Sequence, residues 1–225
     1  LIPINVHDTL AIVRFDHSQA LSAGPREQSI SLQQARAAAA SDSRMLDWNV
    51  VVTVVPGPAH ERELIGALCN LGEFHRAQGF KDVCIGRVAE VEAFLGALAA
   101  ARAAHKGWAA HLARVIPVEH RFAFGPDTLV PKACEAVDHF VDRMTDGSFF
   151  VRLERRGLAG AIDSPAVEQA IADHLVAQLG VHGRMLTVDF ADPDYIVVAE
   201  TLGEECGVGL ISRAMRTRYP FVHPK

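Results

Sequence analysis

A mixed α/β (α+β) fold in two parts is what this sequence predicts, and three observations predict it. A continuous β-branched run, Trp48-Asn-Val-Val-Val-Thr-Val-Val55, is closed by Pro56-Gly57-Pro58, as expected of a central strand. Short apolar runs then alternate with segments whose apolar residues recur at helical spacing. A second series of the same kind opens at Phe149 and closes on a basic tail carrying Arg213, Arg216 and Arg218.

The elements follow in chain order. Residues 10–15 form a short strand candidate, 22–28 are turn-like, and the Leu/Gln/Ala/Arg content of 30–40 favours helix. Residues 1–46 read as an extension. A helix is expected from His60, with Leu64, Leu68 and Leu71 on one face and Gly72 as its stop. A strand follows over 82–88, then a helix carrying Val91, Phe94, Leu95 and Leu98 that ends near Gly107. Arg114-Val-Ile-Pro-Val118 and Phe122-Ala-Phe124 are strand-like. Strand, helix, strand, helix, strand within residues 47–113 and just beyond predicts an open sandwich of ferredoxin-like character.

Gly125-Pro126-Asp127 marks the next boundary, and Val130, Cys134, Val137, Val141 and Met144 then recur at helical spacing up to Asp146-Gly147. Phe149-Phe-Val-Arg-Leu153 is a strand running into Arg155-Arg156-Gly157. Ser164 reads as an N-cap with Pro165 at the first helical position. Val167, Ile171, Leu175 and Leu179 form the buried stripe of that helix, which Gly180 stops. Leu186, Val188 and Phe190 alternate as strand residues, and 195–202 with 206–212 make a hairpin around Gly203-Glu204-Glu205.

Composition narrows the function. The 225 residues are 49% hydrophobic and 22% charged, enough apolar material for a core and too much for a disordered chain. No apolar run approaches the roughly 20 residues that span a bilayer. The first 16 residues lack the basic-then-apolar pattern of a signal peptide. Four scattered cysteines (Cys69, Cys84, Cys134, Cys206) without a CxxC read as buried thiols, consistent with a reducing, cytoplasmic home. The net charge of −5 counts against a protein that coats itself in nucleic acid through overall charge, so any such binding must come from a local patch.

Three stretches in order resemble the THUMP domain. Arg114-Val-Ile-Pro-Val118 followed by a long helix is similar to its opening. Phe149-Phe-Val-Arg-Leu-Glu-Arg-Arg156 is similar to its strand with a basic end, leading into the 164–179 helix. Val188-Asp-Phe-Ala-Asp-Pro-Asp-Tyr-Ile-Val-Val198 is similar to its V-D-L-x-N-P-D step into a strand. The order and spacing agree over 114–221, which divides the chain into 1–46, 47–113 and a THUMP domain at 114–225.

The resemblance implies an RNA-binding module of the kind attached to tRNA thiouridine synthases, methylases and pseudouridine synthases. No catalytic domain of those enzymes is legible: there is no Gly-rich methyl-donor loop, Ser-Gly-Gly adenylation loop, P-loop or HExxH motif. The closing 206–221 segment resembles that of stand-alone THUMP proteins, which are tRNA adaptors for an RNA cytidine acetyltransferase. Arg218-Tyr219 approximates their basic-aromatic ending, while Pro220-Phe221 departs from the usual Asn-Leu. The function so implied is binding of tRNA and its presentation to a modifying enzyme acting in trans, with no catalytic residue and no cofactor.

The candidate RNA-binding residues are Arg152, Arg155, Arg156, Arg213, Arg216, Arg218 and Tyr219. Strand alternation sets Phe150, Arg152 and Glu154 opposite to Phe149, Val151 and Leu153. Guanidinium groups suit phosphates because their planar donors match paired oxygens. The six arginines are expected to converge on one edge, and Tyr219 to offer a stacking surface for an unpaired base. Against this stands ordinary pairing of surface arginines with Glu154, Glu204 or Glu205. Tyr195, at a strand start, reads as core.

Eleven histidines give no ligand spacing for a metal. Asp189, Asp192 and Asp194 cluster as carboxylates do in magnesium or general-base sites, yet Asp192-Pro193-Asp194 is also ordinary turn chemistry. Two other functions remain open. One is a small hydrolase- or transferase-like enzyme using His120, Arg121 and those carboxylates between the two parts. The other is a protein–protein adaptor that has lost RNA binding.

Overall fold

The computed structural model describes residues 47–225, which form one compact unit. The strand and helix expected before Asp47 lie outside the described residues. Among the described residues there are two sheets and five α-helices. No described helix is long and apolar enough to cross a membrane.

The first sheet is built from β1 (Val50–Val54), β2 (Glu73–Arg76), β3 (Val83–Arg87) and β4 (Leu112–Pro117). Its order is β2-β3-β1-β4, antiparallel throughout. Helix α1 (His60–Leu68) links β1 to β2, and α2 (Val91–Ala103) links β3 to β4. The β-branched run at β1 takes the central position, where four of its five residues are buried. Leu64 and Leu68 of α1 and Phe94, Leu95 and Leu98 of α2 complete the core beneath it. Each fully buried leucine contributes roughly 1.5–3 kcal/mol of transfer free energy. Strand β2 was not expected. Its EFHR sequence buries only Phe74, so it carries none of the apolar alternation by which a strand is recognised.

The second sheet has the order β5-β9-β8-β6-β7. Its strands are β5 (His120–Ala123), β6 (Ser148–Arg156), β7 (Thr187–Val188), β8 (Tyr195–Leu202) and β9 (Glu205–Ser212). Strands β6 and β8 are parallel, joined through α4 (Ser164–Val181), as a parallel pair requires. Helices α3 (Leu129–Asp138) and α4 cover one face, burying Phe149, Val151, Leu153, Val197 and Ala199 against Val137, Ile171, Leu175 and Leu179. The expected stripe of α4 is buried along its whole length.

The opposite face lies over the first sheet. Ile196, Val198 and Ile211 join the same cluster as Val50 and Val52. The chain crosses from β4 to β5 close over β9, where a Cβ at Gly209 would lie 2.1 Å from the Pro117 carbonyl oxygen. Only glycine admits that approach. The last helix, α5 (Arg213–Arg218), is capped by Ser212, whose Oγ accepts from Met215 N.

Three local expectations are corrected. The N-cap of α4 is Asp163, whose Oδ1 accepts from Ala166 N at 3.4 Å, and Ser164 is already helical. The helix expected through Met144 ends at Asp138 and resumes only as a short 3₁₀ turn at Val141–Arg143. Val141 and Met144 are buried all the same, so the periodicity recorded burial and overran the helix. The strand expected at Leu186–Phe190 is two residues long, and Phe190 is 79% exposed.

Candidate nucleic-acid interface

Strand β6 organises the site. Its alternation holds as expected: Phe149, Val151 and Leu153 pack under the helices, while Arg152, Glu154 and Arg156 face the first sheet. On its outer side β6 pairs with β7 only at Ser148 and Phe149, so the rest of that edge is open. Glu168 of α4 covers part of it, accepting from Leu153 N at 2.8 Å.

Beside this open edge runs a groove of about 660 Å³ between β6 and α4 on one side and β1 and β4 on the other. Lys81, Arg114, Arg152, Arg155, Arg156 and Lys225 line it, with Asp82, Glu154 and Glu168 as the opposing carboxylates. The first turn of α4, Ser164 and Pro165, forms one wall. A helix amino terminus carries partial positive charge and adds to the local field.

The carboxylates orient the cations without matching their number. Glu154, 9% exposed, lies 3.5 Å from Arg114 Nη1 and 3.9 Å from Arg152 Nε. Glu168 lies 3.8 Å from Arg152 Nη1. Arg156 Nε donates to the fully buried Glu200 at 2.5 Å, and its Nη2 donates to Thr53 Oγ1 at 3.3 Å. Arg155 is exposed and donates to Gly157 O. Six cations against three lining carboxylates, with Glu200 as a fourth behind Arg156, leave an excess of positive charge in one concave site, a surface suited to polyanions.

Residues 130–210, which run from α3 into β9, match the THUMP domain family. The chain carries a THUMP domain. Half of the groove belongs to it, in β6 and the start of α4, and the other half comes from β1, β4, the loops at Pro56 and Lys81–Asp82, and Lys225. Among solved structures the chain is similar to PH1313 of Pyrococcus horikoshii Ot3, at 10% identity and a TM-score of 0.50. That match covers 74% of this chain and 55% of the other. A possible methylase of Clostridium difficile 630 matches at 13% identity and a TM-score of 0.51, covering 72% of this chain and 40% of the other. The chain thus spans about half the length of these two proteins or less, and the likeness concerns the fold alone. No curated protein matches the sequence.

The expected convergence of six arginines is corrected. Arg155 and Arg156 lie at the end of β6 that pairs with Thr201 and Leu202, and Arg152 lies at its middle opposite Val198, whereas α5 follows Ser212, which pairs with Tyr195 at the other end of the THUMP sheet. Seven residues of strand separate these ends, about 23 Å. Arg213 pairs with Asp194 at 3.0 Å and Asp192 at 3.4 Å, Arg216 with Asp192 at 3.4 Å, and Arg218 with Glu92 at 2.6 Å. Tyr219 is 2% exposed and donates to Glu92 at 2.8 Å. Its ring packs against Phe221 and offers no face to a base.

The carboxylates of the alternative enzyme reading serve the fold. Asp194 accepts from Ser148 N and Oγ, and Asp189 Oδ1 accepts from Ala191 N, as turn residues do. His120 and Arg121 are on β5, at the far edge of the THUMP sheet from β7. They line a separate cavity of about 250 Å³, where His120 stacks on His139 at 4.3 Å. Those residues and Asp189–Asp194 therefore share no cleft.

Lys81, Arg114 and Lys225 were missed, since they are distant in sequence from β6. Arg114 had a legible signal: an arginine set in an otherwise apolar strand, its side chain 14% exposed, is a cation kept for a partner.

Proposed function

We propose that this protein binds structured RNA, with tRNA as the preferred species, in the groove alongside β6. The observation that carries the reading is the meeting of six cations at one open sheet edge of a THUMP domain. THUMP domains are RNA-binding modules. The grouping also answers the objection raised by a net charge of −5, because the positive charge is local.

The finer reading is a non-catalytic adaptor in the cytoplasm that presents tRNA to a separate modifying enzyme, an RNA cytidine acetyltransferase by the resemblance of 206–221. In this proposal the first sheet is a ferredoxin-like unit, supported by its β-α-β-β-α-β order and its antiparallel 2-3-1-4 arrangement. Residues 1–46 are an extension. Because β4 completes the first sheet, the boundary to the RNA-binding domain is best drawn after Pro117.

Retardation of total tRNA on gels across a salt series tests the reading. Log affinity is expected to fall against log salt with a slope of about −0.7 to −0.9 for each phosphate neutralised. Absence of binding at low salt would remove it. Charge reversal of Arg152, Arg155 and Arg156 together is an unsuitable control, since a glutamate at 156 would meet the buried Glu200.

A further inference from the structure

We propose that Glu200 makes RNA binding in this groove proton-linked: a phosphate received by Arg156 is accompanied by a proton taken up on the Glu200 carboxyl. The inference rests on the RNA-binding reading and adds a regulation of the same site.

Geometry carries it. Glu200 is wholly buried on β8, in register with Glu154 on β6 and Gly207 on β9. Its Oε1 accepts from Arg156 Nε at 2.5 Å, while its Oε2 has no hydrogen-bond partner. The charged and titratable groups around it are Arg156 and Glu154 from β6, Arg114 from β4 and the buried Cys206 from β9. Burial raises the Glu200 carboxyl to about 7, and the nearby Glu154 adds to this, although Arg156 and Arg114 oppose it. The protonated form is therefore accessible near neutral pH.

Arg156 is thus shared between a buried acid behind it and the groove in front. A phosphate drawn to the same guanidinium would place a second negative charge within a few ångströms of Glu200, in surroundings that screen poorly. Protonation of Glu200 relieves that repulsion and leaves Arg156 to the phosphate. By linkage, a ligand that favours the protonated state binds more tightly as pH falls. None of the groove-lining residues is a histidine, so none of them supplies the same effect near neutrality.

The test is calorimetric titration of total tRNA into the protein near pH 7.5, in two buffers of different ionisation enthalpy. Uptake on the order of half a proton per tRNA is expected, together with affinity about fivefold higher at pH 6 than at pH 8. Both effects should vanish in Glu200→Gln, which mimics the protonated acid. Binding with no proton uptake would overturn the inference and leave the RNA reading standing. Failure to bind at either pH would overturn both. Should Glu200→Gln not fold, the ¹³C carboxyl resonance of Glu200 in the wild-type protein decides. A midpoint near neutrality that moves upward with tRNA supports the link, and a midpoint in the ordinary carboxylate range removes it.

Discussion

Gly147 and Asp194 are interlocked: a Cβ at Gly147 would stand 2.2 Å from Asp194 Oδ2. That oxygen accepts from Ser148 N at 2.9 Å and Ser148 Oγ at 3.1 Å, joining the start of β6 to the start of β8. Gly147 also has φ +102, where side chains are strained. Gly147→Ala is expected to lower the unfolding free energy by roughly 1–3 kcal/mol, because strain and a displaced carboxylate add. Urea unfolding measures this, and an unchanged midpoint would show the contact to be dispensable.

Lys81 and Arg155 are exposed groove cations at opposite walls. Lys81→Glu with Arg155→Glu is expected to lower tRNA affinity at least about tenfold and to make the salt slope shallower by roughly 1.5. Circular dichroism should remain that of the parent, and retained affinity would place the RNA elsewhere.

Arg213 and Arg216 give the opposite expectation. Arg213→Ala with Arg216→Ala removes their pairing to Asp192 and Asp194 at a cost of about 1 kcal/mol in stability. Affinity for tRNA should change by less than about twofold, since neither side chain lines the groove. A large loss of affinity would restore the α5 arginines to the interface.

Stability should respond to pH through Glu200. Its carboxyl is raised from 4.5 to about 7, first by burial, so the folded protein holds the proton more tightly than the unfolded chain. The resulting stabilisation is complete below pH 4.5 and is lost as pH rises through about 7. The melting temperature of Glu200→Gln relative to the parent should therefore increase from pH 5 to pH 8. A constant difference would mean that Glu200 stays ionised throughout.

His120 acts in the other direction. Desolvation first, then His139, holds it below the ordinary 6.5, so its contribution is present above pH 6.5 and is lost as pH falls through its lowered value. His139→Gln removes the stacked neighbour and should soften the acid-side decline in melting temperature, read in the same thermal series.

Elements whose burial is either continuous over a strand or periodic along a helix were legible in the sequence. The β1 run, the α4 stripe and the β8–β9 hairpin appear where periodicity and turn chemistry put them, because each is governed by contacts within a few residues. Strand β2 was not legible, and β7 was legible in place but not in length, since their pairing partners supply the order that their own residues lack. The THUMP resemblance was readable for a similar reason, being carried by local strand ends and turns.

The chain alone determined that a basic strand end at Arg152–Arg156 belongs to an RNA-binding kind of domain. Tertiary structure decided which cations join it, bringing Lys81, Arg114 and Lys225 across from outside β6 and sending Arg213, Arg216 and Arg218 to carboxylates elsewhere. The physical reason is that charge placement depends on strand order and direction. A parallel β6–β8 pair followed by an antiparallel β9 carries the start of α5 to the opposite end of the sheet, and no local pattern of arginines records that reversal.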